Sequence, residues 1–456
     1  MRQFLREHYQ LVAFILLWIF LAARVPWLLY GILPIGIFLL RRADRWQDIL
    51  FSFIMVLVLS DMLRGLPGMR VMAGAKGVVA LALGLVVLVD QVRMQPMARL
   101  FYIFLPFFAY AFFPIIWSEV PVTAFEKTLS YGLLFLVVPN FVLYNFRLHG
   151  WDFFKNLVWF LVLVLAAQPL LPIFWPAENF YVAERFTGFF GNPNGMAIFV
   201  YLTLVLFTVV NQLHRGLFSR TSVIFIYAVL AYYLITCGAR TSLMSSLMFL
   251  VFIQFFRISL LLGIISFIAF IGLAELLSSN LPFVINALGL HEYMRVDTLA
   301  DGSGRYIAWQ YVWQQINEKG FFLFGGGFEN EYVIMERAYP ILSPLGHEGG
   351  AHNSYLTFWL NVGIVGLILY FRSFALIFIK AGKNTSLAMA VMFSVLFSVL
   401  YESWLTASLN PYTILLLVIL TVMSEEEIIG SLSTDVEELE AKPVLVSNEP
   451  LILPAR

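Results

Sequence analysis

Residues 349–356 contain the side chain with the clearest chemical potential, His352. Two glycines allow the backbone to turn sharply there, and Asn353 or Ser354 can cap the hydrophobic helix that follows. The positive end of a helix dipole disfavours an imidazolium. A neutral imidazole at this place can accept a proton from an attacking hydroxyl. The alternative is an interfacial loop residue without a chemical role.

Three arginines stand at predicted helix ends on the same side as His352, in three different turns: Arg185, Arg240 and Arg305. A guanidinium stays charged and can bind two phosphate oxygens at once. Cations close to a membrane are costly, so they often serve a function. Each arginine also has a plain alternative. Arg185 and Arg240 could reach lipid headgroups, and Arg305 could pair with Asp301 or Glu292.

Other polar groups near these positions are weaker candidates. Glu348, beside His347, could contact an acceptor or simply be solvated, and Asn353 and Tyr355 are further candidate acceptor contacts. Glu402 and Asn410 flank the last turn on the same side, where they either line a cavity or cap helices. Cys237 is the single cysteine, and no Asp-x-Asp pair, HExxH, GxSxG or phosphate-loop motif occurs. The sequence therefore predicts no metal site, and it does not support a metalloprotease, a nucleotide-hydrolysing enzyme or a serine hydrolase.

Composition places all these residues in a membrane protein. The chain has 456 residues, of which 61% are hydrophobic and 12% are charged, and its mean hydropathy is +0.85. Soluble domains are usually about 45–50% apolar and about 25% charged. The formal net charge is zero and there is no basic block. Membrane lipids are therefore the expected surroundings, and no nucleic-acid partner is expected.

Apolar runs of membrane length predict an all-α polytopic protein with about 12–14 transmembrane helices. A hairpin over 11–23 and 26–40 opens the chain and is not a cleaved signal peptide. The other predicted spans are 47–64, 72–91, 97–117, 126–145, 153–175, 192–211, 221–237, 240–256, 258–277, 353–371, 386–404 and 409–423. Arginines and lysines concentrate in alternate short loops, which predicts cytoplasmic N- and C-termini.

This topology predicts four regions. Residues 1–277 form transmembrane helices with short loops, and residues 278–351 form one large loop on the outer face. In that loop, Arg305 to Glu318 is predicted to be an interfacial helix that ends at residues 325–327, with one face formed by Tyr306, Trp309, Trp313 and Ile316. Residues 352–423 form the C-terminal transmembrane helices. Residues 424–456 are predicted to be an acidic, disordered cytoplasmic tail.

The motifs occur in an order that resembles the O-antigen ligase and O-antigen polymerase superfamily of bacterial envelope enzymes. The resemblance covers about residues 180–370. It rests on Arg185-Phe186-Thr187-Gly188, Asn192-Pro193-Asn194-Gly195, Gly238-Ala239-Arg240-Thr241, Gly304-Arg305, Phe324-Gly325-Gly326-Gly327 and His352-Asn353-Ser354-Tyr355-Leu356. The preceding helices resemble the family only in being hydrophobic.

The resemblance implies a GT-C-like, metal-independent and inverting glycosyltransferase of the bacterial inner membrane, without a cofactor. Its donor would be an oligosaccharide on undecaprenyl diphosphate, used on the periplasmic side, and its acceptor a glycan or a lipid-linked glycan. By position, His352 would activate the acceptor hydroxyl and Arg240 and Arg305 would hold the diphosphate. Arg185 matches a further basic position of the family.

The net charge of the predicted outer loop favours a polymerase over a ligase. The loop 278–351 has four basic and eight acidic residues, a net charge of −4, and such a surface would repel the phosphorylated lipid A–core acceptor of a ligase. A lipid-linked glycan flippase is an alternative from another class. It predicts inverted repeats and discontinuous helices, and neither is evident in the sequence. A purely structural membrane protein is a third alternative.

Overall fold

Long apolar runs of this chain form helices because a helix satisfies its own backbone N–H and C=O groups where water is absent. The computed structural model describes residues 2–61, 69–170, 173, 180–182, 184–287, 305–345, 349–381 and 385–431. The helices are α1 (Arg2–Glu7), α2 (Tyr9–Arg24), α3 (Leu29–Arg42), α4 (Trp46–Ser60), α5 (Met69–Val89), α6 (Arg99–Ala111), α7 (Pro121–His149), α8 (Trp151–Ala167), α9 (Pro193–Leu213), α10 (Arg220–Thr236), α11 (Arg240–Ile258), α12 (Leu260–Ala287), α13 (Arg305–Glu318), α14 (Asn330–Leu342), α15 (Ser354–Lys380), α16 (Thr385–Tyr401) and α17 (Pro411–Ser424). A two-stranded antiparallel hairpin, β1 (Tyr181–Val182) and β2 (Arg185–Phe186), precedes α9.

The predicted all-α polytopic membrane fold is confirmed. Seven helices in the described part of the chain are long and apolar enough to cross a membrane, and six more apolar helices have 10–17 residues. Their positions follow the predicted spans closely. The predicted loop begins later than residue 278, because α12 continues to Ala287.

Asparagine caps set the start of three helices at one end of the bundle. Asn192 and Asn410 each accept hydrogen bonds from backbone N–H groups of the next turn, and each is followed by proline at the first helical position. Asn353 caps α15 in the same way. Proline there has no N–H to leave unsatisfied, so the Asn-Pro pair fits a helix start. We call this end of the bundle, which carries His352, the histidine end.

The centre of the bundle consists of α4, α9 and α17, whose side chains are almost all buried. These helices are apolar on every side, which suits a position surrounded by the other helices of a membrane bundle. The starts of α9 and α17 and the end of α4 meet at the histidine end, where the hydroxyl of Tyr412 donates to Asp61 Oδ2 at 2.7 Å.

Helix α15 is interrupted at Gly363, which has φ 66° and ψ −178°. The interruption breaks two helical hydrogen bonds, and the loop 322–327 replaces both. The N–H groups of Gly326 and Gly327 donate to the carbonyls of residues 360 and 361 at 2.8 and 2.7 Å. In return, Ile364 and Val365 donate to the carbonyls of residues 322 and 323 at 2.9 and 3.3 Å.

Two predictions change at this interruption. The glycines 325–327 do not end α13, which already ends at Glu318; they dock on α15 instead. A discontinuous helix, which the sequence did not reveal, does occur. Its four freed backbone groups bind the loop, so this break is explained by packing and does not by itself favour a transporter.

Helix α13 packs on the bundle through a different face from the predicted aromatic one. Ala308, Val312 and Ile316 are fully buried against α14 and the start of α15, whereas Tyr306 and Trp313 are 40% and 42% exposed. These three residues follow the i, i+4, i+8 spacing of a narrow helix stripe. Ile316 is the one residue that belongs to both the predicted face and the buried face. The side chains of Ala308 and Val312 are smaller than tryptophan and allow α13 to lie closer to α15.

The opposite end of the bundle, which we call the tail end, collects the arginines of the predicted cytoplasmic loops. Arg147 donates to the carbonyls of Met94 and Pro96 and to the Glu427 carboxylate, at 2.7–2.9 Å. The backbone N–H of Arg99 donates to Glu425 at 2.8 Å. The first residues of the predicted tail are thus held, and 426–431 are helical. Residues 432–456 lie outside the described part.

The carboxylate of Glu119 ties the segment after α12 to the bundle. It pairs with Lys319 and accepts a hydrogen bond from Arg337 Nη1 at 2.6 Å. The Lys319 hydrogen bond, more than any other contact, lowers the pKa of Glu119 below its usual value of 4.5.

We expect Glu119→Gln to lower the unfolding free energy by about 1 kcal/mol or less at neutral pH, since these pairs are partly solvated. A lowered pKa stabilises the fold above the unfolded-state value, and this contribution is lost as the pH falls through the folded-state value. The melting temperatures of wild type and variant should therefore converge below about pH 4.5. A constant difference across that range would contradict the assignment.

Candidate functional site

The segment before α15 holds His352 in an unusual backbone conformation. Gly349 and Gly350 have φ 112° and 69°, and His352 itself has φ 46°. The Asn353 side chain accepts a hydrogen bond from the backbone N–H of Leu356 at 3.0 Å, so the helix begins at Ser354, two residues after the histidine. A non-glycine residue at positive φ can cost about 1–3 kcal/mol. His352 is one of four such residues in the described part of the chain, with Asp44, Glu184 and Glu329.

The Glu402 carboxylate joins His352 to Arg305. Arg305 Nη2 donates to Glu402 Oε1 at 2.9 Å, and His352 Nδ1 lies 3.6 Å from Glu402 Oε2. The side chain of Glu402 is only 9% exposed, and its backbone carbonyl accepts the Ser354 hydroxyl at 2.8 Å. One buried carboxylate thus connects the first residue of α13, the start of α15 and the end of α16.

Sequence reasoning had left Glu402 open as a cavity residue or a helix cap. The structure gives it two side-chain partners instead, Arg305 and His352. The signal in the sequence is an acidic residue at the end of a long apolar helix. An ionisable group within or near the membrane is energetically costly without a partner, so a partner is expected. Asn410, the other residue of that pair, is the cap of α17.

Arg185 fixes three neighbouring segments. Its Nε donates to the Cys237 carbonyl at 2.7 Å, and its Nη2 donates to Asn194 Oδ1 at 2.7 Å. A Cβ on Gly238 would stand 3.4 Å from Arg185 Nε, so the turn before Arg240 lies directly against the guanidinium. Arg185 therefore positions both the start of α9 and the turn between α10 and α11.

Arg240 begins α11, and its guanidinium interacts with the charges of both Arg305 and Arg185. Three cations are thus gathered at the histidine end, although they are separated by 55 and 65 residues of sequence. Like charges repel at such range. An anion placed among them would relieve this repulsion, and guanidinium groups suit phosphate oxygens.

The predicted acceptor contacts have other positions. Asn353 is the helix cap. The hydroxyl of Tyr355 donates to the Leu396 carbonyl at 3.1 Å, and its ring stacks on Phe371, so it belongs to the packing of α15 on α16. Glu348 lies outside the described residues, as do Asp301 and Glu292, the proposed partners of Arg305.

A second group of charged residues is connected to the segment that precedes His352. Lys127 Nζ is 3.3 Å from Glu329 Oε2. Glu331 Oε1 accepts the backbone N–H of Ala351, the residue before the histidine, at 2.8 Å. Burial raises the pKa of Glu331, against the effect of this hydrogen bond and of the His352 charge. In the sequence, Glu329 and Glu331 are two of the eight acidic residues of the predicted loop, and no motif singles out Lys127.

Asp61 is a further buried acid that the sequence analysis did not consider. Burial raises its pKa, while the Tyr412 hydrogen bond and the charge of Lys76 lower it. A Cβ on Gly195 would lie 2.2 Å from the Tyr412 hydroxyl, so glycine there leaves room for this contact. The Asp61–Tyr412 pair thus lies beside the start of α9.

A cavity of about 590 Å³ lies at the tail end, away from these residues. Its acids and bases pair with one another: His8 Nδ1 is 2.5 Å from Asp48 Oδ1, and Lys155 is 3.5 Å from Asp152. These pairs balance their own charges. Within the described residues, no group of three or more His, Cys, Asp or Glu side chains is arranged to hold a metal ion.

Comparison with known proteins identifies one region. Residues 196–371 match a family model described as O-Antigen ligase, and a comparison with curated proteins gives no match. The matched region contains Arg240, Arg305 and His352, while Arg185 and Glu402 lie on either side of it. Over residues 196–371, the chain is therefore similar to the O-antigen ligase and polymerase superfamily, and its apolar helices are those of a multi-pass membrane protein.

Proposed function

We propose that the protein transfers a glycan from an undecaprenyl-diphosphate carrier to an acceptor hydroxyl, on the periplasmic side of the bacterial inner membrane. The observation that carries this proposal is the shared carboxylate of Glu402. It contacts both His352, the proposed base, and Arg305, a proposed phosphate-binding cation. A transferase that uses a diphosphate leaving group needs both groups together.

The arginines would bind the donor diphosphate. Arg240 and Arg305 supply fixed positive charge where negative charge develops as the glycosidic C–O bond breaks, so they stabilise the transition state more than the ground state. Arg185 contributes its charge and also holds the turn that carries Arg240. Because this charge and the diphosphate leaving group suffice, the proposed reaction needs no metal ion.

His352 would act as the general base. Its Nδ1 faces Glu402, so Nε2 is the nitrogen that would take the proton of the acceptor hydroxyl. The acceptor oxygen bonds to the anomeric carbon while the carbon–oxygen bond to the diphosphate breaks, and the diphosphate leaves with the electron pair. A single displacement of this kind inverts the anomeric centre. The resulting imidazolium is stabilised by Glu402.

Polymerisation of O-antigen, capsule or exopolysaccharide repeat units remains our first candidate, because of the acidic loop. In the described part of that loop the excess of acidic residues is smaller. It contains three basic residues (Arg305, Lys319, Arg337) and four acidic ones (Glu318, Glu329, Glu331, Glu336). Ligation to lipid A–core is the second candidate, favoured by the description of the matching family.

Purified protein supplied with lipid-linked repeat units tests the proposal, with and without lipid A–core. Growth of the product on its carrier supports a polymerase, and transfer to lipid A–core supports a ligase. Activity should persist in EDTA. Absence of any transfer would contradict the proposal, and so would reporter fusions that place His352 on the cytoplasmic side.

Glu402→Gln should lower kcat by about 100-fold, because the amide cannot stabilise the imidazolium or hold Arg305 as an ion pair. Glu402→Asp should restore part of the activity. The measurement is single-substrate kinetics together with thermal unfolding. An equal loss of activity and folding in both variants would assign Glu402 a structural role only.

A further inference from the structure

Lys127 and Glu329 form an ion pair close to His352 that the proposed chemistry does not use. Their charged atoms are 3.3 Å apart, and the side chains are 40% and 26% exposed. The charge of Lys76 interacts with Lys127, Glu329 and Asp61, so a second lysine lies near the pair. This group combines donors and acceptors at an accessible place.

The backbone places this pair next to the base. Glu329 is two residues before Glu331, whose carboxylate binds the N–H of Ala351, and Ala351 directly precedes His352. Arg305 is linked to His352 by a different residue, Glu402. The histidine is therefore connected to a cation through Glu402 and to the segment of Glu329 and Glu331 through its neighbour Ala351.

Glu329 has a backbone conformation that its residue type does not favour. Its φ is 75°, in the left-handed region, and its side chain makes no capping hydrogen bond to α14 although it occupies the cap position. Glycine would be the less strained residue here. A strained glutamate whose carboxylate turns to Lys127 indicates that the carboxylate itself is needed.

We propose that Lys127 and Glu329 form the subsite for the acceptor sugar. This inference rests on the proposed function. In a single displacement the attacking hydroxyl must approach the anomeric carbon from the side opposite the leaving diphosphate. With the diphosphate on the arginines, the acceptor approaches past the base from the Lys127–Glu329 side.

The chemistry of the pair suits a hydroxyl-rich ligand. The ammonium group of Lys127 can donate to sugar oxygens, and the Glu329 carboxylate can accept from sugar hydroxyls. Charge-assisted hydrogen bonds of this kind are stronger than neutral ones. Since the two groups already pair with each other, a sugar that binds both is held without leaving either charge unpartnered.

Glu329→Gly and Lys127→Met test the subsite. The lipid-linked repeat unit serves as donor at fixed concentration, and the same repeat unit without lipid or diphosphate serves as the varied acceptor. Both variants should raise the KM for this acceptor about tenfold or more, because each removes one charged hydrogen bond to the sugar. The KM for the donor should stay unchanged. Glu329→Gly should also raise the melting temperature, because glycine relieves the strain.

Asp44→Gly and Lys155→Met are the matched controls. Asp44 also has a positive φ of 52°, and both residues lie at the tail end. They should leave the KM for the acceptor unchanged.

An unchanged acceptor KM in Glu329→Gly and Lys127→Met, or a raised donor KM, would overturn the subsite while the wild type still transfers glycan. A wild type that transfers nothing would instead overturn the proposed function.

Discussion

His352→Ala should reduce glycan transfer by about 10²–10⁴-fold, the usual contribution of a general base, while the protein stays folded and inserted. The physical reason is the loss of the proton acceptor next to the attacking hydroxyl. Polymer length on a gel and single-turnover rates with purified protein measure it. Normal polymer from cells that carry only this variant would refute the role.

His352→Gly separates chemistry from backbone conformation. Because His352 has φ 46°, glycine fits the turn at least as well as histidine does. If the imidazole acts as a base, the glycine variant is as inactive as the alanine variant, and added imidazole restores part of the rate in both. If the histidine only shapes the turn, the glycine variant keeps its activity.

Gly363→Ala should lower the unfolding free energy by about 3 kcal/mol or more, through backbone strain and lost hydrogen bonds. Its φ of 66° with ψ near 180° is accessible to glycine almost alone. An added Cβ would stand 2.2 Å from the Leu323 carbonyl oxygen, so the loop 322–327 would have to leave α15. Thermal unfolding of the solubilised protein measures the loss.

Gly77→Ala is the matched control. Gly77 lies within α5, and a Cβ there would meet no atom within 4 Å. Alanine favours a helix over glycine by about 1 kcal/mol, so this variant should be as stable as the wild type or slightly more stable. Equal melting temperatures for the two alanine variants would contradict the docking of the loop on Gly363.

The same loop connects stability to the site. Its glycines hold α13 and α14 against the half of α15 that precedes Gly363, and these helices carry Arg305 and Glu331. Gly363→Ala should therefore also reduce activity, although residue 363 does not belong to the proposed catalytic group.

Features that depend on neighbours in sequence could be predicted. The apolar runs gave helices close to the predicted spans, since each helix satisfies its own backbone. The turn at Gly349 and Gly350 and the cap at Asn353 were likewise predicted, because capping involves residues within one turn. Arg305 was expected at a helix start and is found there.

Features that depend on distant residues were missed or misread. The sequence predicts that the aromatic face of α13 is the important one, whereas the structure buries the stripe of Ala308, Val312 and Ile316. Which face is buried depends on the partner helix, and this is not visible in the sequence of α13 alone. The glycines 325–327 were read as a local stop. They instead dock on α15 beside Gly363, through hydrogen bonds to the carbonyls of residues 360 and 361.

Amino-acid order alone thus determined a polytopic helical membrane protein, its approximate spans, its caps and the candidate set of one histidine and three arginines. Only the packed structure decided that Glu402 joins His352 to Arg305, that Lys127 faces Glu329, and that a glycine loop closes a broken helix. The reason is that charge pairing and backbone docking depend on distances in space, which helix packing creates between residues far apart in sequence.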